Sequence, residues 1–581
     1  MRTRPLAFSV GSSLALFAAF NMWSPAVARA CGCLTPPDPS VPVVQAGENI
    51  LFSAENGEIT AQIQIQYSGD AKDFGWLLPL PSVPKLELGV DELFTRLLTT
   101  TQPKYRLTAV YEGNCFGGSN GGNNFAPPQP AVSAADAGMA ADDHNPLVYQ
   151  DSVGPYDYAV LKADDKADML KWLSDNHYVS TATDKELSPY IHKGAFFLAL
   201  KLKPGSSAGE LQPVVVHYQS DLAMIPIVLT SVAAKPDMGI QVWMLGQGRA
   251  IPRNYYHTVI NDALIDWQNA GSNYNKVIIQ AVNEAPDRHS FVTEYAGKST
   301  PMQKQLNSPG RFGSLVTLAS TQDPVRFVQY LLNNGFINQS NGPFFSRNLS
   351  STLVALLRPY LPEPDRLVKQ GVASDTFYNQ LEYYLQYFGQ IAPSEYATYA
   401  KSFDPPKAAS DINERIVQPT LNAGVLFDKF PYLTRLYTTL SPEFMTADPV
   451  FSFNPSLADV GNVHEATITY HCGYGSGASL SAVPATLVTE EKWTLEYPSG
   501  TSQSPALGNL PASERIEILG EEGAPRIYRD NTTPVSQMLA TLPGAHSHAA
   551  CNMSTRALPS LFPIGVLLLI GTLLVRRRRA E

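Results

Sequence analysis

Basic clusters are missing from the body of this 581-residue sequence. The formal net charge is −10, and the one dense basic run, Arg576-Arg577-Arg578-Arg579, stands at the C-terminal end. Releasing counterions from a polyanion needs grouped Lys and Arg, so nucleic acid is excluded as the main partner. Cysteine is scarce too. There are five, with no C-x-x-C pair and no H-E-x-x-H pattern, the spacings that mark soft-metal sites. Cys31 and Cys33 with His471 and Cys472 are the one grouping of soft ligands, and without such spacing no metal site is predicted. No cofactor is predicted either: Gly246-Gln247-Gly248 lacks the third glycine and helix opening of a dinucleotide fingerprint, and no Walker lysine pattern occurs. The acidic pairs Glu490-Glu491 and Glu521-Glu522 are adjacent in sequence, which suits solvated turns better than two carboxylates flanking a substrate. His471 beside Cys472 suggests a thiol and its base, yet on a strand neighbouring side chains point to opposite faces, so this pair is not predicted to act together.

What is present is a globular chain with two distinctive ends. Hydrophobic residues make up 44% and charged residues 16%, enough to bury substantial cores, and the length suggests about three or four domains. Arg2 and Arg4, the apolar stretch Leu6 to Phe20 and Ala28-Arg29-Ala30 read as a signal peptide over 1–30, cleaved before Cys31. A cysteine after a signal raises lipid attachment, though Arg29 fits that processing poorly. Export places Cys31, Cys33, Cys115 and Cys472 in an oxidising compartment as disulfide candidates, with Cys31 to Cys33 disfavoured by geometry and the other pairings open. At the other end, residues 557–575 form an apolar run long enough for a transmembrane helix, with 576–581 as a cytoplasmic basic tail.

Between the ends the pattern predicts an α+β protein. A β-rich N-terminal domain covers 31–115. It opens with a hairpin turning at Asn56-Gly57 whose second strand alternates Ile59, Ala61, Ile63 and Ile65 against polar residues, one face buried and one wet. The prolines of "FGWLLPLPSVP" predict an extended edge segment, and "DELFTRLLTT" a helix capped by Asp91. Residues 116–150 form a flexible linker or long loop, rich in Gly, Asn, Ala and Pro. A mixed α+β domain over 151–300 has a helix opening near Asp164 and strands at "AFFLALKLKPG", "LQPVVVHYQS", "IPIVLTSV" and "IQVWMLG". A mainly helical region spans 301–460, with Asp323 capping one helix and Ser374 another whose stripe is Phe377, Leu381, Leu385 and Phe388. Strands return over 461–530, and 531–556 is a polar linker. Tyr255, Tyr256 and Tyr274 are expected as core anchors more than as a recognition surface.

The segments "PVVQAGENILF", "IQIQYSGDAKDFGWLLPLPSVP", "TTQPKYRL", "KPDMGIQVWMLGQGRAIPRNYYH" and "ALIDWQNAGSNYNKVIIQAVNEAPDRHSFVTEYAG" resemble, in that order, the bacterial family of exported proteins called domain of unknown function 2330. The resemblance implies export and domain identity, and brings no reaction or catalytic residue. The polar linker, the lone Cys551, the apolar run and the arginines together resemble the sorting tails of myxobacterial surface proteins. That resemblance implies a sorting protease that cuts near Cys551, with lipid attachment of the new end; Ala550 stands where a glycine usually precedes the cysteine. The expectation is an exported, membrane-anchored protein facing the cell surface or periplasm, tied to the membrane through its C-terminal segment. It acts as a non-catalytic binding or structural module, the alternative being an exported hydrolase or thiol-redox enzyme.

Overall fold

The computed structural model describes residues 33–34, 45–64, 75–113, 146–176, 184–203, 211–306, 310–336, 348–472, 480, 483–490, 493–498 and 507–541. The architecture is mixed α+β and is organised by two stacked sheets. The larger has ten strands in the order Arg526–Asp530, Ser513–Ile518, Tyr256–Ile260, Ser290–Lys298, Tyr432–Leu440, Ala234–Gly246, Gln45–Glu55, Glu58–Gln64, Val214–Gln219 and Lys85–Leu88. The smaller has five, in the order Cys33–Leu34, Gly75–Leu80, Phe196–Leu202, Tyr156–Lys162 and Leu147–Val153. Both sheets draw strands from either side of residues 116–150.

Side-chain alternation shows how the layers form. In the central strand Ala234–Gly246, Ile240, Val242 and Met244 face the core between the sheets, whereas Trp243 and Leu245 pack against helices on the far side. In the smaller sheet Leu198 and Leu200 face the same inter-sheet core, while Phe197 and Ala199 meet Met169 and Leu173 of helix Lys166–Asp175. Strands covered on both faces read as continuous apolar runs, which is why "IQVWMLG" shows no polar alternation. The same cover explains the hairpin. Asn56 and Gly57 take φ of 51° and 77°, the left-handed pair of a tight hairpin turn. The face expected to be wet is covered, however: Gln62 is buried, and Gln64 Nε2 donates to Asp91 Oδ1 at 2.9 Å.

Several local expectations change for physical reasons. Asp91 lies inside the first turn of helix Asp91–Thr101 and does not cap it. Its carboxyl accepts from Gln64 and from Thr352 Oγ1 (2.8 Å), and burial holds its pKa above the usual carboxylate range. Asp165 caps helix Lys166–Asp175, accepting from Asp168 N at 3.0 Å. Asp323 caps helix Pro324–Asn333 as expected, accepting from Arg326 N at 2.9 Å. Ser374 is the first helical residue, not a cap, and a break at Gln380 splits the expected helix into Ser374–Asn379 and Leu381–Ile391. The stripe survives, because Phe377, Leu381, Leu385 and Phe388 are all buried in the core of the helical region. The polar linker read over 531–556 includes helix Thr532–Ala540, with Val535 and Leu539 buried.

The helices from Thr300–Leu306 to Gln418–Lys429 form an excursion between strands Ser290–Lys298 and Tyr432–Leu440, which pair antiparallel. One π-helical turn, Asn413–Val417, joins helices Pro405–Ile412 and Gln418–Lys429. Pro419 has no N–H to offer the preceding turn. The Arg415 carbonyl accepts instead from Gln212 Nε2 (2.7 Å), and Arg415 Nε donates to Gln212 Oε1 (2.9 Å). This exchange docks the excursion onto the sheets. Among the described residues no helix is long and apolar enough to cross a membrane; the candidate span 557–575 lies outside them, as does the signal segment 1–30.

Candidate functional site

Between the two sheets lies a cavity of about 220 Å³. Its walls follow from strand alternation: Ile50 and Phe52 come from one arm of the hairpin, Ala61 and Ile63 from the other, and Trp76 and Leu78 from the facing strand Gly75–Leu80. Ala61 is the small residue among larger neighbours, and larger side chains surround it on both sheets. The rim is formed by exposed Pro81 and His192 with half-buried Ser220, Leu222 and Met224.

Few polar groups reach this wall. Trp76 is wholly buried, and its Nε1–H has no hydrogen-bond partner. Tyr218 lines the cavity, and burial alone pushes its hydroxyl pKa up. Glu48, also in the wall, is 2% exposed, and its Oε1 accepts from Thr230 Oγ1 at 3.1 Å. Nearby, Tyr190 donates to Asp448 (2.9 and 2.8 Å to the two oxygens), whose pKa burial raises. Among the described residues no Lys or Arg lines the cavity. An apolar cleft with a few placed polar groups is the usual form of a small-molecule site.

A second polar cluster has catalytic geometry without catalytic access. His257 Nδ1 lies 3.0 Å from Glu517 Oε2, and His257 Nε2 lies 3.0 Å from Thr293 Oγ1. This is the order of orienting carboxylate, base and hydroxyl. Arg249 Nη2, however, sits 3.1 Å from Thr293 Oγ1 and 3.3 Å from His257 Nε2, occupying the reacting atoms that a substrate would have to approach. All four residues are buried. Burial, helped by the Arg249 charge, lowers the His257 pKa against the opposing pull of Glu517. Burial works against the Glu517 carboxylate, but hydrogen bonds from His257 and Arg515 outweigh it and leave its pKa below the ordinary range. The cluster is a clamp joining three strands and the Arg249–Pro252 strand.

The residues singled out from sequence are placed as follows. Cys472 is buried and disulfide-bonded. His471 is engaged with Glu112 Oε2 (2.9 Å) and Thr486 Oγ1 (2.8 Å). Cys33 belongs to the short strand whose residues pair with Leu77 and Trp76, in a different sheet from strand Val463–His471, which Cys472 follows. Cys31, Cys115, Cys551 and Arg576 to Arg579 lie outside the described residues. Among the described residues no group of three His, Cys, Asp or Glu is placed to hold a metal. Tyr255 is buried and stacks on His289, Tyr274 donates to Glu294 Oε1 at 2.5 Å, and half-buried Tyr256 packs on Tyr528. Gly246 and Gly248 serve packing: a Cβ would meet Phe453 at 2.4 Å or Pro455 at 2.8 Å.

Gly205-Ser206-Ser207-Ala208-Gly209 has the spacing of a nucleophile elbow. It lies outside the described residues, and its flanking elements are both strands, Phe196–Leu202 and Val214–Gln219, where that elbow requires a helix after the turn. The cavity residues were not singled out from sequence. The one local signal is Glu48, an acid set inside an apolar segment.

No curated protein and no solved structure matches the chain. A family model matches residues 25–329, just over half of the chain and a span that includes every residue lining the cavity. By that match the chain belongs to the family described as "Uncharacterized protein conserved in bacteria (DUF2330)".

Proposed function

We propose that this protein is an exported, membrane-tethered module that binds a small ligand in the inter-sheet cavity and does not transform it. The observation that carries the reading is the cavity itself: a well-packed core seldom leaves voids larger than a water molecule, and an apolar cavity of about 150 Å³ is enough to take up benzene. The same observation disfavours catalysis, since among the described residues the polar groups of the wall include no nucleophile paired with a base.

Filling the cavity supplies the test. In the wild-type protein an apolar probe such as indane is expected to raise the thermal midpoint as its concentration passes its Kd, since a ligand that binds only the folded state stabilises it by about 2.7 kcal/mol at 100 Kd. Ala61→Phe is expected to abolish that shift while leaving the circular dichroism spectrum intact. An equal shift in both proteins would place the probe elsewhere.

Export and tethering rest on the two sequence ends. A disulfide joining Cys115 to Cys472 fits the reading: Cys472 N donates to Glu112 O at 2.8 Å, so the chain runs beside Cys472 three residues before Cys115. Mass analysis of the mature protein is expected to find residue 31 at the N-terminus and, in a non-reducing digest, a Cys115–Cys472 cross-linked peptide. Retention of residues beyond Cys551 would exclude cleavage of the tail.

A further inference from the structure

We infer that the ligand of this cavity is an amphiphile with one unbranched hydrocarbon chain, seated chain-inward with its polar head at the mouth; this rests on reading the cavity as a ligand site. The lining changes character along its length. The inner wall is hydrocarbon: Ile50, Phe52, Ala61, Ile63, Leu78 and Leu80 line it, and each is less than a tenth exposed. Glu48, which shares that wall, is engaged through Oε1 with Thr230 Oγ1 at 3.1 Å. Toward the mouth, Leu222 and Met224 are half-buried and Pro81 is exposed. The apolar lining therefore does not stop where the two sheets close over it but runs out to the surface.

The ligand's shape follows from that continuity. Burying apolar surface stabilises a complex in proportion to the area removed from water. A compact ligand engages the inner wall and leaves Leu222 and Met224 wet, whereas a chain that enters between the sheets and extends to the mouth covers both. Because the cleft is open at that end, a chain longer than its enclosed part continues along the rim and is not rejected. The position of the head follows from the same gradient. Exposed His192 and half-buried Ser220 stand at the mouth, where a polar head keeps its hydrogen bonds to water. Drawn inward against the hydrocarbon wall it would lose them, at the cost of an unpaired buried polar group.

1-Decanol and 1-adamantanol form a matched pair of probes, each with ten carbons and one hydroxyl, one extended and the other compact. Calorimetric titration of the full chain in lipid nanodiscs, with Ala61→Phe in the same nanodiscs as the background for partitioning, is expected to show decanol binding about tenfold more tightly than adamantanol. From 1-hexanol to 1-decanol the affinity should rise about fourfold per added methylene, the worth of one buried CH₂. Leu222→Ser, at the mouth, is expected to weaken decanol about fivefold while leaving hexanol within about twofold. Repeating the titration in nanodiscs of branched phytanyl lipid identifies the source of the chain. Unchanged decanol affinity assigns the site to an amphiphile taken up from water, and a higher affinity shows that straight bilayer chains compete for it; either result keeps the chain assignment. Adamantanol binding as tightly as decanol, an affinity that does not change from hexanol to decanol, or an equal effect of Leu222→Ser on both alcohols would overturn that assignment while leaving the cavity as a binding site. If neither alcohol nor indane binds above the Ala61→Phe background, the reading of the cavity as a site fails instead.

Discussion

Arg435→Met is expected to destabilise the protein by about 3–5 kcal/mol, the cost of leaving one member of a buried ion pair without its partner. Arg435 sits on strand Tyr432–Leu440, directly between Trp243 and Tyr295 on the two neighbouring strands. Its Nε lies 2.5 Å from Glu294 Oε2, with side-chain exposures of 7% and 2%. Its Nη1 reaches Thr101 Oγ1 (3.3 Å), which also accepts from Trp243 Nε1 (3.0 Å). The guanidinium therefore ties the larger sheet to helix Asp91–Thr101. Glu294 reaches it because the strand register shifts there: Thr293 pairs with Leu436 and Tyr295 with Arg435, leaving Glu294 as a bulge, and bulges re-aim side chains. Removing both charges should cost much less than removing one. Arg435→Met with Glu294→Leu leaves the Tyr274 hydroxyl without its acceptor, a cost of about 1–3 kcal/mol, so adding Tyr274→Phe should bring stability back toward wild type. Urea unfolding at pH 7, with hydrogen exchange on strand Ala234–Gly246, reads the effect; a single variant within about 1 kcal/mol of wild type would sink the assignment.

Local chemistry accounts for what the sequence made readable. Asn56-Gly57 carries its turn type in two residues, and Asp323-Pro324 carries both the cap and the first turn of its helix. The losses come from partners distant in sequence. "IPIVLTSV" reads as a strand by composition, but Ile227–Thr230 is a helical turn. Its first N–H groups are satisfied from far away, Val228 N by Asp448 Oδ1 (3.0 Å) and Leu229 N by Tyr190 Oη (3.3 Å). "FGWLLPLPSVP" reads as an edge because of its prolines, yet Gly75–Leu80 has neighbours on both sides. Among the described residues the outer neighbour is Cys33–Leu34, which pairs with Leu77 and Trp76, and Pro79 is paired on one side, with Phe197. The rule about proline holds, and the strand is interior all the same.

The candidate site was less legible than the fold for a related reason. A cavity is a property of two sheets meeting, and its walls come from segments between Glu48 and Pro226 that alternation describes only one at a time. Ala61 and Ile63 look like ordinary core positions in sequence, and Trp76 looks like an aromatic anchor. What distinguishes them is the space opposite and the indole N–H without an acceptor, neither of which leaves a local pattern. The Cys472 and His471 pair shows the converse: the motif is conspicuous in sequence, and the structure commits the two residues to separate partners.

Acidification should weaken the protein from about neutral pH downward, and His257 should carry a measurable share of that loss. Its folded pKa is held below the ordinary 6.5 by burial first and by Arg249 second, against the pull of Glu517. The unfolded chain therefore binds a proton on His257 before the folded chain does. The sign follows: the contribution is complete above about pH 6.5 and is lost progressively as pH falls toward the folded pKa, with a slope of up to about 1.4 kcal/mol per pH unit for one proton. Glu517 acts in the same direction lower down. Its folded pKa lies below the ordinary 4.5, so its contribution is lost as pH falls below that value. Asp91 and Asp448, raised by burial, act oppositely, because the folded state binds their protons first. Comparing wild type with His257→Gln separates the terms, since Asp91 and Asp448 are common to both proteins. Glutamine keeps a donor for Glu517 and an acceptor for Thr293 but does not titrate. The difference in unfolding free energy between the two proteins should shrink steadily from pH 7 to pH 5, as the wild type loses the His257 contribution and the variant has none to lose. A constant difference across that range would show that His257 keeps the same charge state folded and unfolded, and would remove the clamp from any account of acid sensitivity.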